Sequence, residues 1–187
     1  MALDGGRALG DLLERAQRSG HVVLPGASGS RRLADLPSAA VAGFLADLGS
    51  VAAGFDVTLL DLGAGIQERT AMLARAATEV LVVVTAEPTS LTDAYAFVKV
   101  ACRRHAAVRV VVNLAETATA GLETFATLSR VARRFLALEL GLAGIVRRDP
   151  RVPDAIREQI PLLTRYPASD AAADLRRLAA GLTERAP

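Results

Sequence analysis

"FDVTLLDLGAGI", residues 55–66, is the stretch whose reading decides the fold. A hydrophobic run ends abruptly at Asp61, and the chain then turns through Gly63 and Gly65. A buried strand that hands an aspartate to a glycine turn is how a parallel sheet presents a carboxylate to a magnesium ion and to phosphates, because ligands gather beyond the carboxyl ends of the strands and glycine lets backbone come close to them. Such an arrangement also needs a cation to hold the phosphates, so the position of the lysines becomes the next question.

Working outward from Asp61, one theme repeats. The spacing predicts a strand over 56–61 and a helix over 66–77, a strand over 79–85 and a helix over 89–104, a strand over 108–113 and a helix over 118–136. "GLAGIV" (141–146) reads as a fourth strand, followed by a helix over 150–159 and a last one over about 168–183. The strands are continuous apolar runs, not alternating ones, as expected where both faces of a sheet are covered. Strand–helix alternation with short connections means an α/β fold, a mostly parallel sheet flanked by helices. Upstream, "GRALGDLLERAQRSG" predicts a helix stopped by Gly20, "HVV" a short strand over Val22–Leu24, and "LPSAAVAGFLADLGSVAAG" a helix with Val41, Phe44, Leu45 and Leu48 on one face. No internal repeat or domain boundary stands out, and residues 1–187 read as one domain.

Composition narrows the function classes. The 187 residues are 51% hydrophobic, enough for one buried core. "VLVVVTA" and "VRVVVN" are far too short to span a bilayer, and the first ten residues lack a signal peptide's basic start and apolar centre, so a cytoplasmic location is expected. One cysteine, Cys102, excludes an internal disulfide and a multi-cysteine metal site. His21 and His105 have no acid or thiol nearby at ligand spacing. Arginine pairs recur at Arg31–Arg32, Arg103–Arg104, Arg133–Arg134, Arg147–Arg148 and Arg176–Arg177, but net charge is only +2. They read as solvated helix faces. Nucleic acid is not the expected partner, because two tyrosines and five phenylalanines offer little stacking surface and no nucleic-acid-binding motif is present. No "GxSxG" occurs, and neither histidine lies at a strand end, so a Ser-His-Asp hydrolase is not indicated.

The strand ends collect Asp61 to Gly65, Thr85 to Pro88, Asn113 to Ala115, and Val146 to Asp149. "LLDLGAGI", "VVVTAEPTSLTDAYAFVKV", "VVVN" and "RDPRVPDAIREQIPLL" occur in that order, and together they resemble the MinD/ParA-type deviant Walker ATPases, in particular the flagellar-number regulators of the FlhG/FleN (YlxH-like) kind. The resemblance covers roughly residues 8 to 183, and "TAEPTSLTDAYAFVK" is its most specific piece. It implies the SIMIBI, MinD-like topology of the P-loop NTPases. It implies that Asp61 is the Walker B aspartate that orders Mg2+ through a water, and that Gly63 and Gly65 form the flexible turn near the γ-phosphate of ATP. It implies that Glu87 and Pro88 belong to a loop near the nucleotide and the dimer seam, that Asn113 hydrogen-bonds adenine, and that Asp149 lies in the loop passing over the base. The residues by themselves allow plainer roles: a strand end for Asp61, a tight turn for the two glycines, an exposed loop charge for Glu87, a turn former for Asn113. The resemblance also implies that relatives usually carry a proline where Arg147 stands, which puts the base contact of that loop in question.

The lysine question now has an answer. A phosphate-binding loop needs "GxxxxGK[ST]", and the only lysine is Lys99, inside a predicted helix with no glycine run before it. The resemblance therefore implies a domain missing its N-terminal βαβ portion, with no catalytic residue to name and no ATP hydrolysis expected from this chain alone. In the family the absent strands lie beside the Asp61 strand, so that strand is expected to carry unpaired edges that favour aggregation or a partner, unless the remaining strands pair directly. Two functions follow: the C-terminal portion of an ATPase that controls flagellar number or placement, or a P-loop-less relative that binds and regulates a full-length ATPase. The implied partners are a second copy or a full-length family member, the flagellar signal-recognition-type GTPase, and switch or basal-body proteins. Relatives often end in an amphipathic membrane-targeting helix that places them at the inner face of the cell membrane. Here Leu175, Leu178 and Leu182 share one face among Arg176, Arg177 and Arg185, but alanine dominates it, and packing on the sheet is the competing expectation.

Overall fold

A computed structural model describes residues 8–16, 20–26, 38–63, 65–102 and 107–183, without the side chains at 38, 39 and 69. Arg31–Arg32, Arg103–Arg104, His105 and Arg185 lie outside the described residues. The chain divides into two compact units, Met1–Asp61 and Leu62–Pro187.

The first unit holds a 3₁₀ turn at Leu9–Leu12, a short antiparallel pair of β1 (Glu14–Arg15) and β2 (Val22–Val23), and helix α1 (Ser38–Ala52). Among the described residues, 8–16, the helix expected ahead of Gly20 is not formed. Gly20 adopts φ +74, and the Ala16 N–H donates to the His21 carbonyl at 2.9 Å. The glycine thus turns a hairpin instead of stopping a helix. Leu9 and Leu48 are buried together, with Leu12, Leu24, Phe44 and Val51 packed around them. The leucine spacing that suggested a helix serves this small cluster instead.

The expected strand over 56–61 is also not realised. Residues 57–63 have no regular structure, and Leu59 is 78% exposed. An apolar, β-prone run becomes a strand only where a neighbour completes its ladder, and among the described residues none pairs with it.

The second unit opens with α2 (Glu68–Ala76). It is built on a parallel sheet of β3 (Val80–Val84), β4 (Val108–Ala115) and β5 (Gly141–Arg147) in that order. Helix α3 (Pro88–Phe97), which continues as a π-helical turn over Val98–Cys102, and helix α4 (Ala118–Leu136) form the crossovers. Short helices α5 (Arg151–Arg157) and α6 (Leu162–Arg165) lead to α7 (Asp170–Thr183). This is the α/β architecture expected from the strand–helix alternation. β4 shows the two-residue period of a sheet covered on both sides. Val108, Val110 and Val112 join the main core with Val98, Cys102, Leu128 and Ala132. Val111 turns the other way, to Val146 and Ala171, where Leu175 and Leu178 pack. β3 is covered unequally: Val80, Val82 and Val84 are buried, whereas on the other side Leu81 is half-buried and Val83 is 60% exposed.

Local signals explain the best-defined helix. Thr117 caps α4 by accepting the Ala120 N–H at 3.1 Å, which satisfies one of the free N–H groups of the first turn. A left-handed residue, Ala137, ends it. Gly121 brings α4 close to the sheet, since a Cβ there would lie 2.5 Å from Ile145 Cγ2. Helix α7 packs on β5 in the same way. Leu178 lies against Gly144, where a Cβ would come within 3.3 Å of it. Leu175 and Leu178 therefore face the sheet and not solvent. Among the described residues no helix is long and apolar enough to cross a membrane.

Candidate functional site

Val84 pairs with Val112 and Val112 with Ile145, in one row across the sheet. The three strands are parallel, so the segments that leave them emerge on one edge. Glu87–Pro88, Asn113 and Asp149 all follow this row, and the structure brings them to that edge together.

The loop after β3 is shaped by its own hydrogen bonds. The Thr85 N–H donates to Ser90 Oγ at 2.9 Å, and the Glu87 N–H to Thr85 Oγ1 at 3.4 Å. Glu87 precedes the first turn of α3, and Pro88 occupies that turn, where a missing N–H costs nothing. Both are exposed. At the end of β4, Asn113 is half-buried, and its Oδ1 accepts the Leu114 N–H at 2.9 Å. Leu114 adopts φ 55, and the ladder to β5 is irregular between Val112 and Ala115. The left-handed conformation costs a leucine about 1–2 kcal/mol. Local strain of this kind is found where backbone is shaped for a ligand.

The loop after β5 is tied to its surroundings by two buried carboxylates. Asp149 is 8% exposed. Its Oδ1 accepts the Arg151 N–H at 2.9 Å and its Oδ2 the Ala171 N–H at 3.2 Å. The Arg151 N–H is the main cause holding this carboxyl below its usual pKa; burial opposes it, and the Ala171 N–H and the Ser169 hydroxyl add to it. Asp149 thus starts α5 and anchors the first turn of α7. Asp174 is 3% exposed. It accepts Arg147 Nε at 2.9 Å, Arg147 Nη2 at 3.1 Å and the Arg147 backbone N–H at 3.0 Å, and it also pairs with Arg177. Burial pushes the Asp174 carboxyl up, but these bonds and charges outweigh it, and the pKa is lowered. Arg147 also reaches Asp170 at 3.1 Å. Arg147 is therefore drawn back onto α7 and is no solvated helix-face charge. Next to it, Arg148 Nε meets Glu116 Oε1 at 2.7 Å, which links the loops after β4 and β5.

The sequence reading did not foresee Asp174. One signal was available: Asp174 falls in the stripe of Ala171, Leu175 and Leu178, and a lone carboxylate in a buried stripe requires a cation.

Asp61 is exposed and is the last residue of the first unit. Gly63 and Gly65 open the second, with φ +66 and +117. Those values make glycine a requirement of the turn. Leu62, between Asp61 and Gly63, packs on the second unit's core. Lys99 lies in the π-helical turn, eleven residues beyond Pro88. At about 1.5 Å per residue it is roughly 16 Å from the end of α3 that faces the edge, too far to reach a ligand there. Among the described residues no group of three His, Cys, Asp or Glu could hold a metal. Burial raises the Cys102 thiol to about 11, so it is a core residue and not a reactive one.

No family model matches the chain. It is 36% identical over 151 residues to the antiactivator FleN of Pseudomonas aeruginosa, covering 80% of this chain and 54% of FleN. It is 28% identical over 141 residues to the flagellum site-determining protein YlxH of Helicobacter pylori, covering 75% of this chain and 48% of YlxH. The chain thus spans about half the length of the curated relatives it matches. Its fold matches the septum site-determining protein MinD of Pyrococcus horikoshii, solved complexed with Mg-ADP. That match has a TM-score of 0.69 at 21% identity, over 95% of this chain and 72% of that one. In sequence and in fold, this chain is a relative of the MinD/ParA-type ATPases, close to FleN and YlxH.

Proposed function

We propose that the chain is the C-terminal portion of a MinD/ParA-type regulator of flagellar number or placement, and that residues 1–187 form one incomplete ATPase domain. The observation that carries this reading is the shared carboxyl edge of β3, β4 and β5, which gathers Glu87–Pro88 and Asn113 in a sheet of the MinD kind. In the complete protein the ligand is ATP with Mg2+. Asn113 offers an amide that can both donate to and accept from adenine, and Asp61 suits a magnesium-ordering role, because a carboxylate is a hard oxygen ligand. Gly63 and Gly65 supply the turn beside the γ-phosphate, and Asp149 fixes the loop over the base by holding its backbone. The chain acts with a second copy or a full-length ATPase, and through it with the flagellar GTPase and basal-body proteins. It works in the cytoplasm, in peripheral contact with the inner face of the cell membrane.

The same reading gives the chain no turnover of its own. The phosphates need a cation, and Lys99 is at the wrong end of α3. Purified residues 1–187 are expected to release no phosphate from Mg-ATP above background. Saturable release that disappears in Asp61→Ala would overturn this.

One observation favours a second reading, a binding module without hydrolysis. The outer edge of β3 has no partner strand among the described residues, and Val83 is exposed beside it. An open strand edge is a template for another chain. The two readings part on what the gene encodes ahead of the Met1 codon.

A further inference from the structure

Away from the strand-end edge, α3 and α4 enclose a groove. Leu91, Thr92 and Tyr95 of α3 meet Thr127, Leu128 and Val131 of α4 across a concavity of about 210 Å³. Two stripes of α4 run along it, each at spacings of three and four residues, which keep side chains on one side of a helix. Leu128, Val131 and Phe135 form the apolar stripe, and Thr127, Arg130 and Arg134 the polar one beside it. Leu128 is buried and Val131 half-buried, but Phe135, one turn further on, is 63% exposed. The Arg134 guanidinium lies 5.3 Å from the Phe135 ring centre, so the two stripes meet at that end. Both helices return from the same edge of the parallel sheet and so run in the same direction. Lys99, one turn beyond Tyr95 and exposed, therefore borders the same end of the groove from the α3 side.

Charge decides what can occupy the groove. Among the described residues Lys99, Arg130 and Arg134 form no ion pair, whereas Arg133 next to them is neutralised by Glu139 at 3.0 Å. Glu123, one turn before Thr127, puts negative charge at the opposite end. A recess between two helices takes a convex ridge of side chains and not a flat lipid layer, and helical walls offer no open ladder to a strand. What fits is a helix with an apolar stripe for the groove and carboxylates for the cations at its rim.

We propose that the α3–α4 groove, with Phe135 and the cations Lys99, Arg130 and Arg134 at its end, docks an acidic amphipathic helix of a partner protein. The surface lies at the ends of α3 and α4 remote from Glu87–Pro88 and Asn113, so it stands independently of the nucleotide site. It also gives the chain's one lysine a role that does not require a phosphate-binding loop.

The test is fluorescence anisotropy of a labelled peptide of about three heptads, with leucine at the two apolar heptad positions and glutamate on the flanks, titrated with residues 1–187. Saturable binding is expected, weakened by salt. The same peptide with glutamine in place of every glutamate should bind about ten-fold more weakly. Lys99→Gln/Arg134→Gln should lose about five-fold, since each exposed ion pair contributes roughly a two- to three-fold gain, and Phe135→Ala about ten-fold, as an aromatic anchor does. Arg176→Gln, an exposed charge on α7, should leave the affinity unchanged. All these positions are exposed, so circular dichroism should show the wild-type fold. No saturable binding by folded wild type would overturn the proposal, and so would equal binding of the two peptides. Binding that is unchanged in Phe135→Ala and in the double variant would overturn the assignment to this groove.

Discussion

Asp174→Ala is expected to lower the unfolding free energy of the Leu62–Pro187 unit by about 3 kcal/mol, the low end for removing one partner of a buried ion pair. The low end applies because Arg147 keeps Asp170 and some access to water. What is lost is specific: two side-chain bonds from Arg147, one from its backbone N–H, and the pair with Arg177. Asp174→Asn, which retains one acceptor oxygen, should fall between alanine and wild type. Denaturant unfolding at neutral pH reads both. The sign with pH follows from the lowered pKa values of Asp149 and Asp174. A carboxyl whose folded pKa is depressed stabilises fully above its ordinary value, 3.8 here, and loses that contribution as pH falls below it. The difference between wild type and Asp174→Ala should therefore narrow at about pH 3. Equal stability at neutral pH would mean that the pair contributes nothing.

Gly121→Val is expected to cost about 2 kcal/mol, and two opposing effects decide the sign. Replacing glycine within a helix by alanine ordinarily gains up to about 1 kcal/mol. Against it, a Cβ at residue 121 would lie 2.5 Å from Ile145 Cγ2 and 3.0 Å from its Cδ1. Ile145 is β-branched and held in a strand, so its Cγ2 cannot swing aside, and overpacking costs about 1–3 kcal/mol. Gly121→Ala carries the clashing Cβ too and should cost about 1 kcal/mol net of the propensity gain. Valine adds two methyl groups and loses the propensity gain, so the clash prevails. Adding Ile145→Ala should recover part of the loss, with a coupling of roughly 1 kcal/mol in a double-mutant cycle. Strict additivity would show that the α4–β5 contact is not the cause.

The parts of the fold that were legible in the sequence are those whose signals are local. The helix expected over 118–136 is found at Ala118–Leu136, because Thr117 caps it and its apolar face keeps helical spacing. The apolar runs at 80–84 and 108–115 are strands because each has a neighbour to pair with. The run at 57–61 has equal β-propensity and no ladder among the described residues, and propensity carries no information about a partner. Residues 9–15 had leucines at helical spacing, yet the turn at Gly20 decided their structure. At the site, the order of strand ends was enough to gather Glu87, Asn113 and Asp149 on one edge. The fate of the Asp149 carboxylate was not legible, since its second partner, Ala171, lies 22 residues further on. Arg147 was hidden in the same way, since its partner Asp174 lies 27 residues away.

The central claim is that this chain supplies the base and magnesium side of a nucleotide site whose phosphate-binding side is encoded with it. The most direct test is to read the DNA upstream of the Met1 codon. The account predicts an in-frame segment ahead of it that encodes a glycine-rich loop with a lysine, of the "GxxxxGK[ST]" form. An in-frame stop codon immediately upstream would contradict it: the cell would then make a protein without that loop, and the binding-module reading would take its place.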